Sequence, residues 1–70
     1  MADDSVYKVV ELVGTSTESW EKAAETAINR AAKTLDDLRI AEVADLDLII
    51  DDGKVTAYRA KVKLSFKYKG

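Results

Sequence analysis

The chain has 70 residues, with 11 basic and 13 acidic side chains and no cysteine, histidine or proline. That is one domain whose core barely offsets the ordering entropy of its own chain, with no means of forming a disulfide, a thiolate or imidazole zinc site, a cysteine nucleophile or a histidine acid/base. The net charge of -2 argues against a nucleic-acid partner, because phosphates are met by clustered positive charge.

No apolar run approaches the roughly 20 residues of a membrane span, and residues 1–5 (MADDS) have neither a basic nor an apolar leader region. The expected address is cytoplasmic, with no membrane partner. Residues 1–5 are expected to be disordered and residues 6–70 to form a single domain. Oligomerisation is the stabilising device left to so small a chain.

Residues 6–13 (VYKVVELV) are β-branched and apolar enough for a strand with both faces partly covered, and Gly14 is expected to end it. In the stretch that follows, Ser16 or Thr17 can cap a helix, and Glu18 puts negative charge at its positive end. The helix is predicted to start near Glu18. Trp20, Ala23, Ala24, Ala27, Ile28, Ala31 and Leu35 recur at spacings of three and four, one apolar stripe along about four turns. Trp20 is read as core packing, and the small stripe implies close approach to a curved sheet.

Residues 38–50 alternate imperfectly and read as a second strand. Asp52-Gly53 supplies the positive φ angles of a two-residue type I′ turn, which sets Asp51 against Lys54, Glu42 against Lys63 and Val43 against Val62. One hairpin face then gathers Ala41, Val43, Ala60, Val62, Leu64 and Phe66 and is assigned to the core. The other mixes Leu38, Ile40, Leu46 and Leu48 with Arg59, Lys61, Lys63 and Lys67, and is predicted to be a subunit interface or pocket wall.

This order resembles the dodecin family, on YKVVELVGTS (Tyr7–Ser16), Ser19-Trp20, AINRAAKT (27–34), Ala41-Glu42-Val43 and KVKLSF (61–66). The resemblance implies an α+β fold: a β-α-β-β subunit whose three-stranded antiparallel sheet wraps around one helix, twelve copies forming a hollow homododecamer. Most members bind flavins between aromatic side chains at a dimer interface, for storage and protection from light. Flavin binders carry a tryptophan where Ile40 stands and a glutamine where Arg59 stands. Both are altered here, on one predicted face, and stacking on an aromatic is worth roughly 0.5–1.5 kcal/mol that isoleucine does not supply. The chain is closer to the non-flavin calcium dodecin branch, on Ile40, Asp36-Asp37 and Tyr58-Arg59.

Asp45 and Asp47, at i and i+2 on a strand, share one face and are the candidate ligands for a hard cation such as calcium. Copies around a symmetry axis would complete their site. The plain alternative is edge-strand charge that deters aggregation. Asp51-Asp52 lacks the spacing of a calcium loop and is explained by the turn. Asp36-Asp37, at the helix C-terminus, is either a cation contact or a solvated connection. The strip Arg59, Lys61, Lys63 and Lys67 is either an anion site or the partner of Glu42 and neighbouring subunits.

Nothing in the sequence supports catalysis, and the chain is read as a non-enzyme. The expected function is a dodecameric binding and sequestering protein for a divalent cation, calcium, rather than flavin. Two alternatives stand beside it: flavin storage in a pocket remodelled at Ile40 and Arg59, and a structural shell with incidental ions.

Overall fold

The computed structural model describes residues 4–68. The disorder expected over residues 1–5 therefore falls mainly outside the described residues, and Asp4 and Ser5 carry no regular secondary structure. Four elements follow in the expected order: β1 (Tyr7–Ser16), α1 (Trp20–Ala31), β2 (Leu38–Asp51) and β3 (Lys54–Lys67). They build one antiparallel sheet in the order β1-β3-β2.

Gly14 does not end β1. The strand continues to Ser16, and Gly14 is a buried contact point where an added Cβ would lie 2.0 Å from the Ala23 carbonyl oxygen and 3.0 Å from Ala27 Cβ. The residue is glycine because the helix backbone occupies the space a side chain would need.

The helix starts two residues later than even the Thr17 cap would set it. Ser19 is the N-cap, its hydroxyl accepting the Lys22 N–H at 3.0 Å, whereas the Ser16 hydroxyl accepts the Glu18 N–H in a local turn. The helix covers 12 residues, a little over three turns. Leu35 lies beyond it yet still packs on the core, its N–H bonded to the Ala31 carbonyl at 2.8 Å.

The core is thin. Ala23, Ala27 and Ala31 of α1 meet Ala60, Val62 and Leu64 of β3, with Val10, Leu12, Ile28 and Leu38 packed around them. Trp20 departs from the core assignment: it is 36% exposed. At the first position of α1 its side chain leans past the helix N-terminus, over the hairpin, where the ring meets Tyr58 edge-on at 5.2 Å and 75°.

The hairpin turn is as read, with φ of 52° at Asp52 and 74° at Gly53. Asp51 faces Lys54, Glu42 faces Lys63 and Val43 faces Val62. Three register shifts, at Leu38/Ile40, Val43/Asp45 and Ile49/Ile50, interrupt the ladder. They leave Arg39, Ala44 and Thr56 as extra residues without a partner in the ladder, the hallmark of β-bulges.

The bulges re-sort the faces. Leu38, Leu46 and Leu48 pair with Phe66, Ala60 and Tyr58 and so belong to the helix side of the sheet, not to the outer face with Ile40 and the lysines. The outer face loses these three leucines but keeps exposed Ile40 and Ile49 of β2, with Val9 and Val13 of β1, among its charged residues. Apolar surface remains on the helix side, because α1 covers β1 and β3 but stops short of β2: Val43 and Leu46 are each 51% exposed. The radius of gyration is 14.6 Å against about 11 Å for a compact chain of this length, and the longest dimension is 55 Å. The hairpin tip accounts for the excess.

Candidate functional site

On the outer face, three acidic residues of β2 stand opposite three basic residues of β3: Glu42 against Lys63, Asp45 against Lys61, Asp47 against Arg59. The last pair closes into a bidentate contact. Arg59 donates Nε–H to Asp47 Oδ1 at 2.7 Å and Nη2–H to Oδ2 at 2.6 Å, the fork geometry that makes arginine–carboxylate pairs directional. The guanidinium holds the Asp47 carboxyl below its usual range, and Asp47 in turn raises Arg59. Both side chains remain well exposed, at 44% and 51%, so the pair orients the two groups more than it stabilises the fold.

This pair lies in a groove of about 220 Å³ lined by Val13 of β1, Asp45, Leu46 and Asp47 of β2, and Arg59 and Lys61 of β3. Three of the four expected site residues are thus brought together. Ile40 is not among them. It pairs with Ser65, about 20 Å along β3 from Arg59 at roughly 3.3 Å per residue, and lines a separate cleft of about 150 Å³ with Ile28, Leu38 and Leu64. Within one chain the two altered flavin-pocket positions share a face but no pocket.

From the other side of β2, the Trp20 indole N–H donates to the Asp47 backbone carbonyl at 3.0 Å. Sequence reasoning assigned Trp20 to the core and missed this contact. The only sequence signal is position: a large indole at the first helical residue, directly after a cap, has no helical turn before it to pack on.

The remaining acidic candidates lie away from this groove. Asp51 and Asp52 belong to the turn, while Asp37, at φ 59°, lies 3.6 Å from Arg39 in an ion pair. A larger cavity of about 340 Å³ lies beside Asp36 and Asp37, lined also by Lys8, Thr34, Phe66 and Lys67 among others.

Calcium takes about six to eight oxygen ligands. Among the described residues no three carboxylates gather at one point, and both oxygens of Asp47 face Arg59. The donor chemistry of Asp45 and Asp47 suits a hard cation, but one chain supplies only part of a coordination sphere. Among the described residues no helix is long and apolar enough to cross a membrane.

The β-α-β-β order, with a three-stranded antiparallel sheet wrapped on one helix, defines a fold of dodecin type. The dodecin family model matches residues 6–69, and the chain belongs to that family. Its relatives include calcium dodecin of Mycobacterium tuberculosis, 50% identical over 64 residues, which cover 90% of this chain and 89% of that one. The structure of dodecin from Streptomyces coelicolor superposes with a TM-score of 0.90 at 33% identity, covering 99% of each chain. The crystal structure of the calcium-chelating immunodominant antigen calcium dodecin from M. tuberculosis, described as having a novel calcium-binding site, superposes with a TM-score of 0.82 at 47% identity over 93% of each chain.

Proposed function

We propose that the chain is a non-enzymatic, cytoplasmic homododecameric protein that sequesters a divalent cation, calcium, each subunit contributing Asp45 and Asp47 to a site that neighbouring subunits complete. The observation that carries the reading is the placement of both carboxylates on one strand face in one groove. Half-identity to calcium dodecin over nine-tenths of the chain supports it. The uncovered apolar residues Val43, Leu46 and Leu48 on the helix side, with Val9 and Val13 on the outer face, supply surface for subunit contacts.

Cation entry requires Asp47 to exchange its guanidinium partner for the ion. The cation reading therefore predicts competition between Arg59 and calcium for one carboxylate, and the released guanidinium would turn toward solvent.

Native mass spectrometry before and after chelation, on the wild type and on Asp45→Ala/Asp47→Ala, tests the reading. The expected spectrum is twelve subunits that retain calcium-sized masses, lose them to chelator, and never carry them in the double variant. Twelve subunits with a flavin-sized mass would replace the cation by a flavin. A dodecamer indifferent to chelation and to the double substitution would leave a structural shell, and a bare monomer would refute the assembly.

A further inference from the structure

The block of β2 that contains the candidate ligands is one residue out of step with its surroundings. Asp45 to Ile49 pair with Lys61 to Ala57, and the bulges at Ala44 and Thr56 bound the block on either side. In the unbulged register that the turn alone would set, Leu46 would face Arg59, and Asp47 would face Tyr58 on the helix side of the sheet. A one-residue slip moves every side chain to the opposite face, so the outward placement of both aspartates depends on the block holding its shifted register.

Two contacts from one side chain land inside this block. The Trp20 indole N–H donates to the Asp47 carbonyl at 3.0 Å, and the same ring meets Tyr58 edge-on at 5.2 Å. Among the described residues it is the one side-chain hydrogen bond that ties α1 to β2, and α1 is itself fixed on the sheet by the close approach at Gly14. The helix thus provides a reference point that the hairpin lacks.

We propose that Trp20 is a positioning residue: by holding the Asp47 carbonyl it pins the shifted register of residues 45–49, and so presents the Asp47 carboxylate to Arg59 and to the cation that competes for it. The cation part rests on the function proposed above; the register part does not.

The test replaces Trp20 by 3-benzothienylalanine, which keeps the ring shape and the Tyr58 contact but removes the N–H donor, with Trp20→Phe alongside. The readout is the Arg59 Nε–H resonance in the assembled protein, which a bidentate carboxylate shifts and shields from exchange. The expected result is that both variants lose this shielding while remaining folded by circular dichroism, and that calcium affinity measured by calorimetry falls about fivefold, the population change that one hydrogen bond of typical strength supports. An isosteric variant with an unchanged Arg59 resonance would overturn the proposal. Should wild-type protein take up no calcium at all, the cation function falls, and the Arg59 resonance still decides the role of Trp20.

Discussion

Replacing Gly14 by alanine separates two roles that glycine can play in a strand. If Gly14 merely interrupted β1, alanine would stabilise the protein by about 0.4–1 kcal/mol, through the lower entropy of the unfolded chain. The structure predicts the opposite sign. The new Cβ would stand 2.0 Å from the Ala23 carbonyl oxygen and 3.0 Å from the Ala27 amide nitrogen, and both are backbone, with no flexible end to swing aside. Relief requires α1 to withdraw by about 1 Å or more, which opens the Ala23–Ala27–Ala31 contact with Ala60 and Val62, where packing tolerates little loss of fit. Overpacking costs about 1–3 kcal/mol, and a backbone obstacle puts this case near 3. A domain of this size has a total stability of only about 4–10 kcal/mol. At about 4–8 °C per kcal/mol, the midpoint should fall by about 12–24 °C in calorimetry at fixed protomer concentration. Gly53→Ala is the control: its site is open but its φ is +74°, so it carries only the left-handed backbone cost of about 1–2 kcal/mol. A Gly14→Ala protein that melts at or above the wild type would refute the close-approach argument.

Ser19→Ala removes the hydroxyl that caps α1 and should cost about 1 kcal/mol, read as a drop in the thermal midpoint without loss of assembly. Asp47→Asn tests the pH dependence: a carboxyl held below its ordinary value of 3.8 contributes stability above that value and loses it as the pH falls through its folded value. The small melting gap between wild type and variant should therefore be present near neutral pH and vanish in acid; a gap that persists would refute the assignment. Arg59→Ala frees Asp47 and removes a cation from the groove, so calcium should bind about tenfold tighter, the reverse of Asp47→Ala, as calorimetry would show. Ile40→Trp supplies an aromatic platform, and fluorescence titration with riboflavin should then detect binding that is new or tighter than the wild type's; no gain would place the obstacle at Arg59.

The order of elements was legible because each has a local signature: β-branched residues in β1, an alanine stripe in α1, and Asp52-Gly53 between two long strands. The charged pairs were half legible. Period-two alternation put Asp45 and Asp47 on one face, but their partners depend on where the ladder slips. Arg39, Ala44 and Thr56 carry no composition signal of a bulge, so Leu38, Leu46 and Leu48 were placed on the wrong face. Gly14 was ambiguous for a related reason: a glycine in a strand marks an ending, a bulge or a close approach, and only the helix that lies against it decides which. Trp20 followed the helical period, but at the first helical residue its ring lies over the β2–β3 hairpin, against Asp47 and Tyr58, and not in the alanine-lined core.

The bulged residues Ala44 and Thr56 have an unusual status in the chain. Each is skipped by the pairing, so the residues on either side, Val43 with Val62 and Asp45 with Lys61, or Ile50 with Val55 and Ile49 with Ala57, would keep their partners if both were deleted. What the deletion would erase is the bend that bulges introduce. Two positions therefore govern the curvature of the 55 Å body from outside the backbone ladder, the Thr56 hydroxyl adding one long donation to the Ile49 carbonyl at 3.4 Å. In a closed shell, where the angle between neighbours sets how many copies meet, such positions allow size to vary independently of the chemistry displayed on the wall.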